Sequence, residues 1–318
     1  RGTKIADGGA SYTPKANITL VAHWSANVYK VTLDNQSANS AGTKEVYYQY
    51  NTTKTVNGVV CYYYTDSSLS SCLSGGYNIT NPSKTGYTFG GYYTSTNGGG
   101  TNYINTSGTF INNLYQTAGN RTLYAKWTLS QFQVTYDYAT NGGTSATKTS
   151  AMVDYGASID LSPTATKSGW TFVGWNTNKD ATSKLSSLTM GTSQVTLYAV
   201  YKKTGQVTFN LNGNASFTYN NTKYTSTTAI DLCTMYNRAT TCTASVTMPT
   251  ITASSNTPTI IGWSNASGTH TASYTSGQTG VTLTSGTTWY AQTQKAAVQG
   301  KVTFNPNGNT AFTYGGTK

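Results

Sequence analysis

The stretch Leu123-Tyr124-Ala125-Lys126-Trp127 decides the architecture of this chain, because degenerate copies of it recur along the sequence. The copies are LVAHW at 20–24, LYAVY at 197–201 and WYAQ at 289–292. A short alternating strand precedes each complete copy: VTLD at 31–34, VTYD at 134–137 and VTFN at 207–210. A fourth opening strand, VTFN, stands at 302–305. Self-similarity of this kind is typical of an array of small modules and not of one large catalytic domain.

The spacing of the opening strands predicts modules of roughly 75 residues with variable insertions, the size of small domains. Each module is expected to bury its own core of Tyr, Trp and β-branched side chains. Both ends of the chain fall inside a module, which indicates a cut through a longer, elongated tandem array. The predicted spans are 1–25 (the end of a module), 26–128, 129–203, 204–296 (a degenerate copy) and 297–318 (the start of a module).

The composition is poor in charge and rich in aromatic side chains. Of the 318 residues, 9% are Asp, Glu, Lys or Arg and 13% are Phe, Trp or Tyr, which is the reverse of a disordered chain. Short alternating strands between Gly- and Asn-rich turns predict a mainly β protein, and no segment carries the apolar stripe of a long helix. No stretch has the length and apolar character of a transmembrane helix.

The net charge of +11 comes from scattered basic residues. No run rich in Lys or Arg marks a nucleic-acid patch, so a specific nucleic-acid partner is not expected. A surface with a small excess of scattered basic residues favours weak, salt-sensitive attraction to anionic polymers of a cell envelope or host matrix.

A second motif lies midway through each full module. The glycine before its last aromatic residue is expected to allow a β-bulge or a close approach to a neighbouring backbone. A proline stands shortly before each copy, where its missing N–H marks the beginning of a strand. The copies are TGYTFGGY at 85–92, SGWTFVGW at 168–175 and TIIGW at 259–263, preceded by Pro82, by Pro163 and by Pro249 or Pro258.

Two further local structures are predicted. An Asn-Gly pair separates two strand-like runs within 207–219 and again within 302–314. Because Asn-Gly is the favoured sequence of a tight hairpin turn, a hairpin is expected at both places. The run Tyr62-Tyr63-Tyr64 is a candidate strand inside the insertion of span 26–128.

Four cysteines fall as two local pairs, Cys61 with Cys72 and Cys233 with Cys242. Each pair lies in an insertion that span 129–203 lacks, which favours two loop-closing disulfides and an oxidising, extracellular setting. The alternatives are four inert buried thiols or a metal site. The metal site is the weaker alternative, because neither spacing is that of a zinc knuckle and no histidine lies beside either pair. No cofactor is predicted.

Together, VTYD at 134–137, GWTFVGW at 169–175 and LYAVY at 197–201 resemble the internalin B-type B-repeat, also called the Listeria–Bacteroides repeat, of bacterial surface proteins. The preceding copy carries GYTFGGY at 86–92 and LYAKW at 123–127. The resemblance implies compact β-grasp-like modules and an extracellular stalk or adhesin. It supplies no catalytic residues, and the cysteine insertions depart from the family pattern.

The two histidines do not form part of a catalytic pattern. His23 occupies a repeat position at which the other copies carry Lys, Val and Gln, which indicates a solvated strand face and not a base or a ligand. His270 lies in a polar loop with no Cys or carboxylate close to it in sequence.

The aspartates at the end of the opening strands are not predicted to be catalytic either. Asp34 and Asp137 are replaced by Asn210 and Asn305 at the same repeat position. Asn keeps a turn-type hydrogen bond but cannot supply the proton of a general acid, so the shared property is local capping. The chain is therefore not expected to be an enzyme.

The aromatic residues divide into two classes. Those that recur at repeat positions are expected in module cores, and they are Trp127, Trp175 and Trp263. Tyrosines outside the repeat are better candidates for an exposed recognition surface, because Tyr gives a large contact area at low entropic cost. These candidates are Tyr62, Tyr63, Tyr64, Tyr92 and Tyr93.

These observations predict a non-enzymatic cell-surface or secreted repeat protein that acts as a stalk, an adhesin or a component of an extracellular filament. Its partners would be other copies or neighbouring repeats arranged head to tail, with strand exchange between subunits as one variant. The second hypothesis is a carbohydrate- or envelope-polymer-binding module. Host or envelope glycans and proteins would then be the partners, held by exposed Tyr and Trp.

Overall fold

The computed structural model describes residues 3–254, 258–295, 302–305 and 307–308. In that part of the chain, helix is confined to two short 3-10 turns, Thr96–Gly98 and Leu114–Gln116, and the rest of the regular structure is strand. The prediction of a mainly β protein is confirmed.

The chain forms two compact units. The first comprises residues 1–132, 152–158 and 189–194, and the second comprises 133–151, 159–188 and 195–318. These units do not follow the five predicted spans, whose boundaries remain a prediction.

Twenty-one strands lie within the described residues. The first seven are β1 (Val28–Asp34), β2 (Glu45–Gln49), β3 (Lys54–Val56), β4 (Val59–Cys61), β5 (Tyr87–Ser95), β6 (Gly99–Ile104) and β7 (Arg121–Leu129). The next six are β8 (Gln131–Asp137), β9 (Ser145–Ala146), β10 (Ser150–Asp154), β11 (Ala165–Thr166), β12 (Thr171–Asn176) and β13 (Val195–Asn210). The last eight are β14 (Ser216–Tyr219), β15 (Thr222–Tyr224), β16 (Thr228–Tyr236), β17 (Thr243–Val246), β18 (Thr250–Thr252), β19 (Pro258–Ser264), β20 (Val281–Thr284) and β21 (Thr288–Lys295).

Two open sheets contain the repeated strands. The five-stranded sheet has the order β2-β1-β7-β5-β6. The seven-stranded sheet has the order β10-β8-β13-β21-β19, with β12 and β16 also paired to β13. In both sheets an opening strand of VTLD type lies parallel to a closing strand of LYAKW type, as in the pairing of Leu33 with Leu123.

The opening and closing strands alternate because one face of each strand packs on a core. Val31 and Leu33 of β1 are buried, as are Leu123 and Ala125 of β7, while the residues between them are more exposed. The equivalent residues of the later copies are also buried: Val134, Tyr136, Leu197, Ala199, Val207, Phe209, Trp289 and Ala291.

Two large hydrophobic clusters form the interiors. One extends from Val31 to Ala125 and draws all its buried members from span 26–128. The other extends from Val207 to Ala291 and draws all of its buried members from span 204–296. Each of these two spans therefore contributes a core of its own.

Strand β13 joins spans 129–203 and 204–296 without a break. Its first part pairs in parallel with β8 from Val195 to Tyr198, and its last part pairs in parallel with β21 from Thr208 to Asn210. One 16-residue strand is thus the closing strand of one span and the opening strand of the next.

The glycine of the second motif marks a bulge in every copy, as the sequence predicts. The register shifts at Gly91 in β5, Gly174 in β12 and Gly262 in β19, and all three have positive φ. A Cβ atom on Gly262 would lie 2.1 Å from the carbonyl oxygen of Tyr274. Only glycine fits this close approach.

The recurring tryptophans are held by a polar contact as well as by packing. Trp175 and Trp263 are buried, and their indole nitrogens donate hydrogen bonds of 2.6 and 2.7 Å to the carbonyl oxygens of Pro163 and Pro249. Pro249 is therefore the counterpart of Pro163. Trp127 is only partly buried against the core of its span.

Two predicted strands are absent from the described residues. The stretches at 20–24 and 302–305 carry no strand, and Trp24 is 91% exposed. The predictions were wrong because strand character depends on a hydrogen-bonded neighbour as well as on sequence. Closing strands elsewhere pair with an earlier opening strand, whereas 20–24 pairs with none among the described residues.

Two local predictions also need correction. Asn212 and Gly213 form a turn with positive φ, but the strands on either side, β13 and β14, do not pair, so it is not a hairpin. The hairpin between β14 and β15 turns instead at Asn220 and Asn221. The run 62–64 is not a strand, because Tyr64 makes only isolated bridges. The second copy of the Asn-Gly hairpin, within 302–314, extends beyond the described residues.

Candidate functional site

Three of the five tyrosines predicted to form a recognition surface are buried. Tyr63, Tyr64 and Tyr92 expose 2%, 1% and 0% of their area, so the folded chain cannot offer them to a partner. Tyr63 stacks on Phe110 with ring centroids 3.8 Å apart, and Tyr92 belongs to the same core. The prediction was wrong for Tyr63 and Tyr64 because the insertion folds back onto the sheet and adds its aromatic rings to the interior. It was wrong for Tyr92 because this residue of β5 occupies the buried motif position that Trp175 and Trp263 hold in the other copies.

Tyr62 and Tyr93 remain partly exposed, in different surroundings. The ring of Tyr62 lies 5.3 Å from that of Tyr115 and 6.4 Å from that of Tyr77. Tyr62, Tyr77 and Tyr115 are called the tyrosine cluster below. Tyr93 lies in β5, and the centroid of its ring is 5.9 Å from the ammonium nitrogen of Lys126.

The sequence did not identify two members of the tyrosine cluster. Tyr77 is 40% exposed and Tyr115 belongs to a 3-10 turn. Both tyrosines lie outside the repeated motifs, and this position was the one sequence feature that could have identified them as candidates. Their meeting with Tyr62 depends on how the insertion folds, which no periodicity encodes.

A shallow basic cavity, wide open to solvent, lies at one end of the parallel pair β1 and β7. It has a volume of about 290 Å³ and is lined by Lys30, Thr32, Asn120, Arg121 and Thr122. The Lys30 ammonium lies 2.7 Å from the carboxylate of Glu45. The hydrogen bond to Glu45 raises the pKa of Lys30, and the bond from Lys30, with one from Tyr47, lowers the pKa of Glu45.

Arg121 gives this cavity its net positive charge. Its Nε is buried without a hydrogen-bond partner, while Glu45 balances the charge of Lys30. Two cations and one carboxylate can attract a small anionic group, and the adjacent Thr hydroxyls can donate hydrogen bonds to it.

The cysteines are paired as the sequence favours. Cys61 and Cys72 form one disulfide with their Cα atoms 5.5 Å apart, and Cys233 and Cys242 form the other at 6.1 Å. A Cβ atom on Gly205 would lie 2.5 Å from the sulfur of Cys242. The second disulfide therefore packs directly on β13, two residues after the end of span 129–203.

The aspartates and asparagines at the end of the opening strands cap turns. Asp34, Asn210 and Asn305 each accept a hydrogen bond from the backbone N–H two residues later, at 2.8 to 3.0 Å. Asp137 accepts one from the N–H of Thr140 at 2.8 Å. The structure shows the local capping role that the Asp-to-Asn exchange predicts.

The two histidines lie in different surroundings. His23 is exposed outside any strand, and the Nδ1 of His270 lies 3.1 Å from the carbonyl oxygen of Thr293. Within the described ranges, no three His, Cys, Asp or Glu side chains lie close enough together to hold a metal ion. None of the helical turns in residues 3–254 and 258–295 approaches the length and apolar character needed to cross a bilayer.

Comparison with known proteins agrees with the resemblance drawn from the motifs. The profile of the Listeria–Bacteroides repeat domain matches residues 73–126 and 132–200. The chain is similar to a protein of Evansella cellulosilytica described as a Gly-rich membrane protein, with 33% identity over 142 residues. These residues are 42% of this chain and 16% of that protein.

A second relative is Internalin H of Listeria monocytogenes. It is 32% identical over 126 residues, which are 39% of this chain and 21% of the relative. The chain thus spans about a fifth or less of the length of the relatives it matches. The two profile matches contain the motifs at 85–92 and 168–175 and all but the last residue of the closing motifs at 123–127 and 197–201. Residues 73–126 and 132–200 of the chain therefore match the Listeria–Bacteroides repeat domain, and the chain is similar to proteins that carry this repeat.

Proposed function

We propose that this chain is a non-enzymatic repeat segment of a bacterial cell-surface or secreted protein, and that it acts as a stalk, an adhesin or part of an extracellular filament. The observation that carries the proposal is the recurrence of one parallel strand pair in three spans. Two of these spans contribute cores of their own. Repetition of a small folded unit builds length without a catalytic centre.

An extracellular location is supported by the two disulfides and by one of the relatives. Disulfides persist in oxidising compartments, and both of them close insertions of the repeat. The relative from Evansella cellulosilytica is described as a membrane protein, which supports an association with the cell envelope. Labelling of intact cells by an antibody raised against the chain tests this location, and labelling only after lysis contradicts it.

Small-angle scattering tests the stalk. A compact globule of 318 residues has a radius of gyration of about 20 Å. For modules strung end to end, we expect a value above about 28 Å and a distance distribution with a long tail. A value near that of the compact globule excludes the stalk.

A carbohydrate- or envelope-polymer-binding function is the second candidate. It is favoured by the tyrosine cluster and by the basic cavity beside Arg121, which together offer stacking surfaces and a positive charge. Tyr62→Ala should abolish binding to a glycan or anionic polymer found in a screen, because it removes the central ring. Tyr87→Ala, at a 37% exposed tyrosine of β5, is the matched control. Equal loss in both variants contradicts a specific surface.

A further inference from the structure

The strand that opens each span lies beside the strand that closes it, and the two are parallel. The paired residues extend from Val31 with Arg121 to Asp34 with Tyr124 in the first case. They extend from Val134 with Val195 to Asp137 with Tyr198 in the second, and from Thr208 with Thr288 to Asn210 with Tyr290 in the third. Everything else in a span lies, along the chain, between these two strands.

This arrangement decides how a span responds to tension along the chain. In a parallel pair the first strand begins at one end and the second strand finishes at the other. Tension therefore pulls the two strands in opposite directions along their own axes. The hydrogen bonds between them are loaded side by side in shear, and they must break together. If both strands were pulled apart at the same end, the hydrogen bonds would instead break one at a time.

We propose that the three parallel strand pairs are mechanical clamps, and that resistance to tension is a function of this chain. The inference rests on the proposed surface role, because a stalk or adhesin transmits the load that acts on its tip. Forced unfolding is governed by the rate of unfolding and not by equilibrium stability. A clamp of this kind can therefore resist load even where the core is small.

Strand β13 carries the load between two clamps. Because its residues belong to the pair with β8 and then to the pair with β21, tension passes between the pairs along one continuous strand, without a flexible linker. Strand β16 pairs antiparallel with β13 from Lys202 to Phe209 and covers the junction.

Asn237 fixes the end of this covering strand. Its Oδ1 accepts a hydrogen bond from the N–H of Tyr201 at 3.1 Å, and its Nδ2 donates to the carbonyl oxygen of Ala181 at 2.8 Å. Tyr201 and Ala181 belong to span 129–203, whereas Asn237 belongs to span 204–296. The insertion of span 204–296 is thus hydrogen-bonded to span 129–203 and stabilises the junction between the two spans.

The two disulfides lie between clamp strands and not within them. Cys61–Cys72 and Cys233–Cys242 are separated by 11 and 9 residues in sequence. After the two strands of a clamp separate, the disulfide of that span prevents the loop between its two cysteines from extending. At about 3.5 Å per residue, the withheld lengths are roughly 4 and 3 nm.

Optical-tweezer unfolding of the full chain in two pulling directions tests the clamp in span 129–203. One variant carries azide-bearing residues in place of Gln133 and Lys202, at opposite ends of the β8–β13 pair, so that the pair is sheared. The matched variant carries them in place of Ala139 and Lys202, at the same end, so that the pair is unzipped. All three sites are exposed, and azide handles leave the disulfides intact.

The sheared variant should unfold at a force about twofold higher or more, because its four registered residue pairs separate together. Both variants should extend by about 22 to 24 nm, which identifies the same span. Equal forces, or a higher force for the unzipped variant, overturn the clamp. Circular dichroism that matches the unmodified chain ensures that both variants are folded.

A third measurement pulls the full chain from its ends, with and without a reducing agent. Reduction should lengthen two of the unfolding steps by roughly 4 and 3 nm and leave a third unchanged, because span 129–203 has no cysteine. If reduction changed the length of none of the three unfolding steps, the proposed path of the load through the three clamps would be contradicted. A compact particle in small-angle scattering would refute the proposed stalk. The comparison of the sheared and unzipped variants would still test the clamp independently.

Discussion

The indole nitrogen of Trp175 donates a hydrogen bond of 2.6 Å to the carbonyl oxygen of Pro163. The same bond joins Trp263 to Pro249 at 2.7 Å. In β5 the matching residue is Tyr92, whose buried hydroxyl has no hydrogen-bond partner. Pro163 and Pro249 therefore each provide an acceptor for the tryptophan of their motif, whereas the tyrosine at the tryptophan position in β5 leaves its own hydroxyl unpaired.

Trp175→Phe should lower the free energy of unfolding around β12 and β13 by about 2–4 kcal/mol, because it leaves a cavity and an unpaired Pro163 carbonyl. Hydrogen exchange of these strands measures the change locally. Trp24→Phe is the control, since Trp24 is 91% exposed and outside any strand. The same loss in both variants would argue against a role for the buried bond.

Tyr92→Phe should stabilise the chain by about 1 kcal/mol, since it removes a buried hydroxyl that has no partner. Tyr63→Phe should have the opposite effect, because the Tyr63 hydroxyl donates to the carbonyl oxygen of Asn112 at 3.3 Å. Urea unfolding of the two variants, followed by hydrogen exchange in β5, compares them. Destabilisation by Tyr92→Phe would contradict the prediction.

Gly262→Ala should cost about 2 kcal/mol or more, because the backbone there has a φ of 143° and the added Cβ would meet the carbonyl oxygen of Tyr274. Gly191→Ala is the matched control, since its Cβ would meet nothing within 4 Å. Thermal unfolding of both variants is the measurement. Equal melting temperatures would show that the bulge tolerates a side chain.

Removal of the first disulfide by Cys61→Ser with Cys72→Ser should lower the stability of its surroundings by about 2–3 kcal/mol in the chain-entropy model. Exchange should accelerate in β2 and β4. Strand β12 belongs to the cysteine-free span 129–203 and serves as an internal control. Uniform acceleration in all strands would point to global unfolding instead of a local effect.

The chain should lose stability in alkali. Burial raises the pKa of Tyr201 to about 12, and burial also raises the pKa values of Tyr63, Tyr92 and Tyr136 above the ordinary value for tyrosine. The unfolded chain releases these protons near pH 10, whereas the folded chain retains them, so the folded state binds more protons above that pH. The stabilising contribution is full below about pH 10 and is lost as the pH rises through the folded pKa values.

Thermal unfolding at about pH 8 and about pH 11, with tyrosinate absorbance recorded in parallel, measures this loss. The absorbance step of the buried tyrosines should coincide with unfolding. Tyr92→Phe should reduce the loss, because it removes one of the titrating groups. A melting temperature that is unchanged between the two pH values would contradict the prediction.

Much of the local structure could be predicted from the sequence because it repeats. The buried alternation of Val31 and Leu33 recurs in three opening strands, and the bulge at Gly262 recurs in three middle strands. The pairing of Cys61 with Cys72 followed from their position in one insertion. Each of these features depends on residues close in sequence or on the same position in sister copies.

The candidate recognition surface could not be predicted in the same way. Tyr62, Tyr63 and Tyr64 are adjacent in an irregular segment, yet one is partly exposed and two are buried. Without strand or helix periodicity, the direction of each ring is set by what the segment packs against. Tyr77 and Tyr115 join Tyr62 for the same reason.

The sequence by itself determined the strand repeats, their inward faces, the glycine bulges and the cysteine pairs, because local alternation and small turns carry that information. Only the tertiary structure decided that β13 runs unbroken from one span into the next, and that the strand-like stretch at 20–24 forms no strand. The physical reason is that a strand exists only where another strand satisfies its backbone N–H and C=O groups. The identity of that neighbour depends on residues far away in the chain.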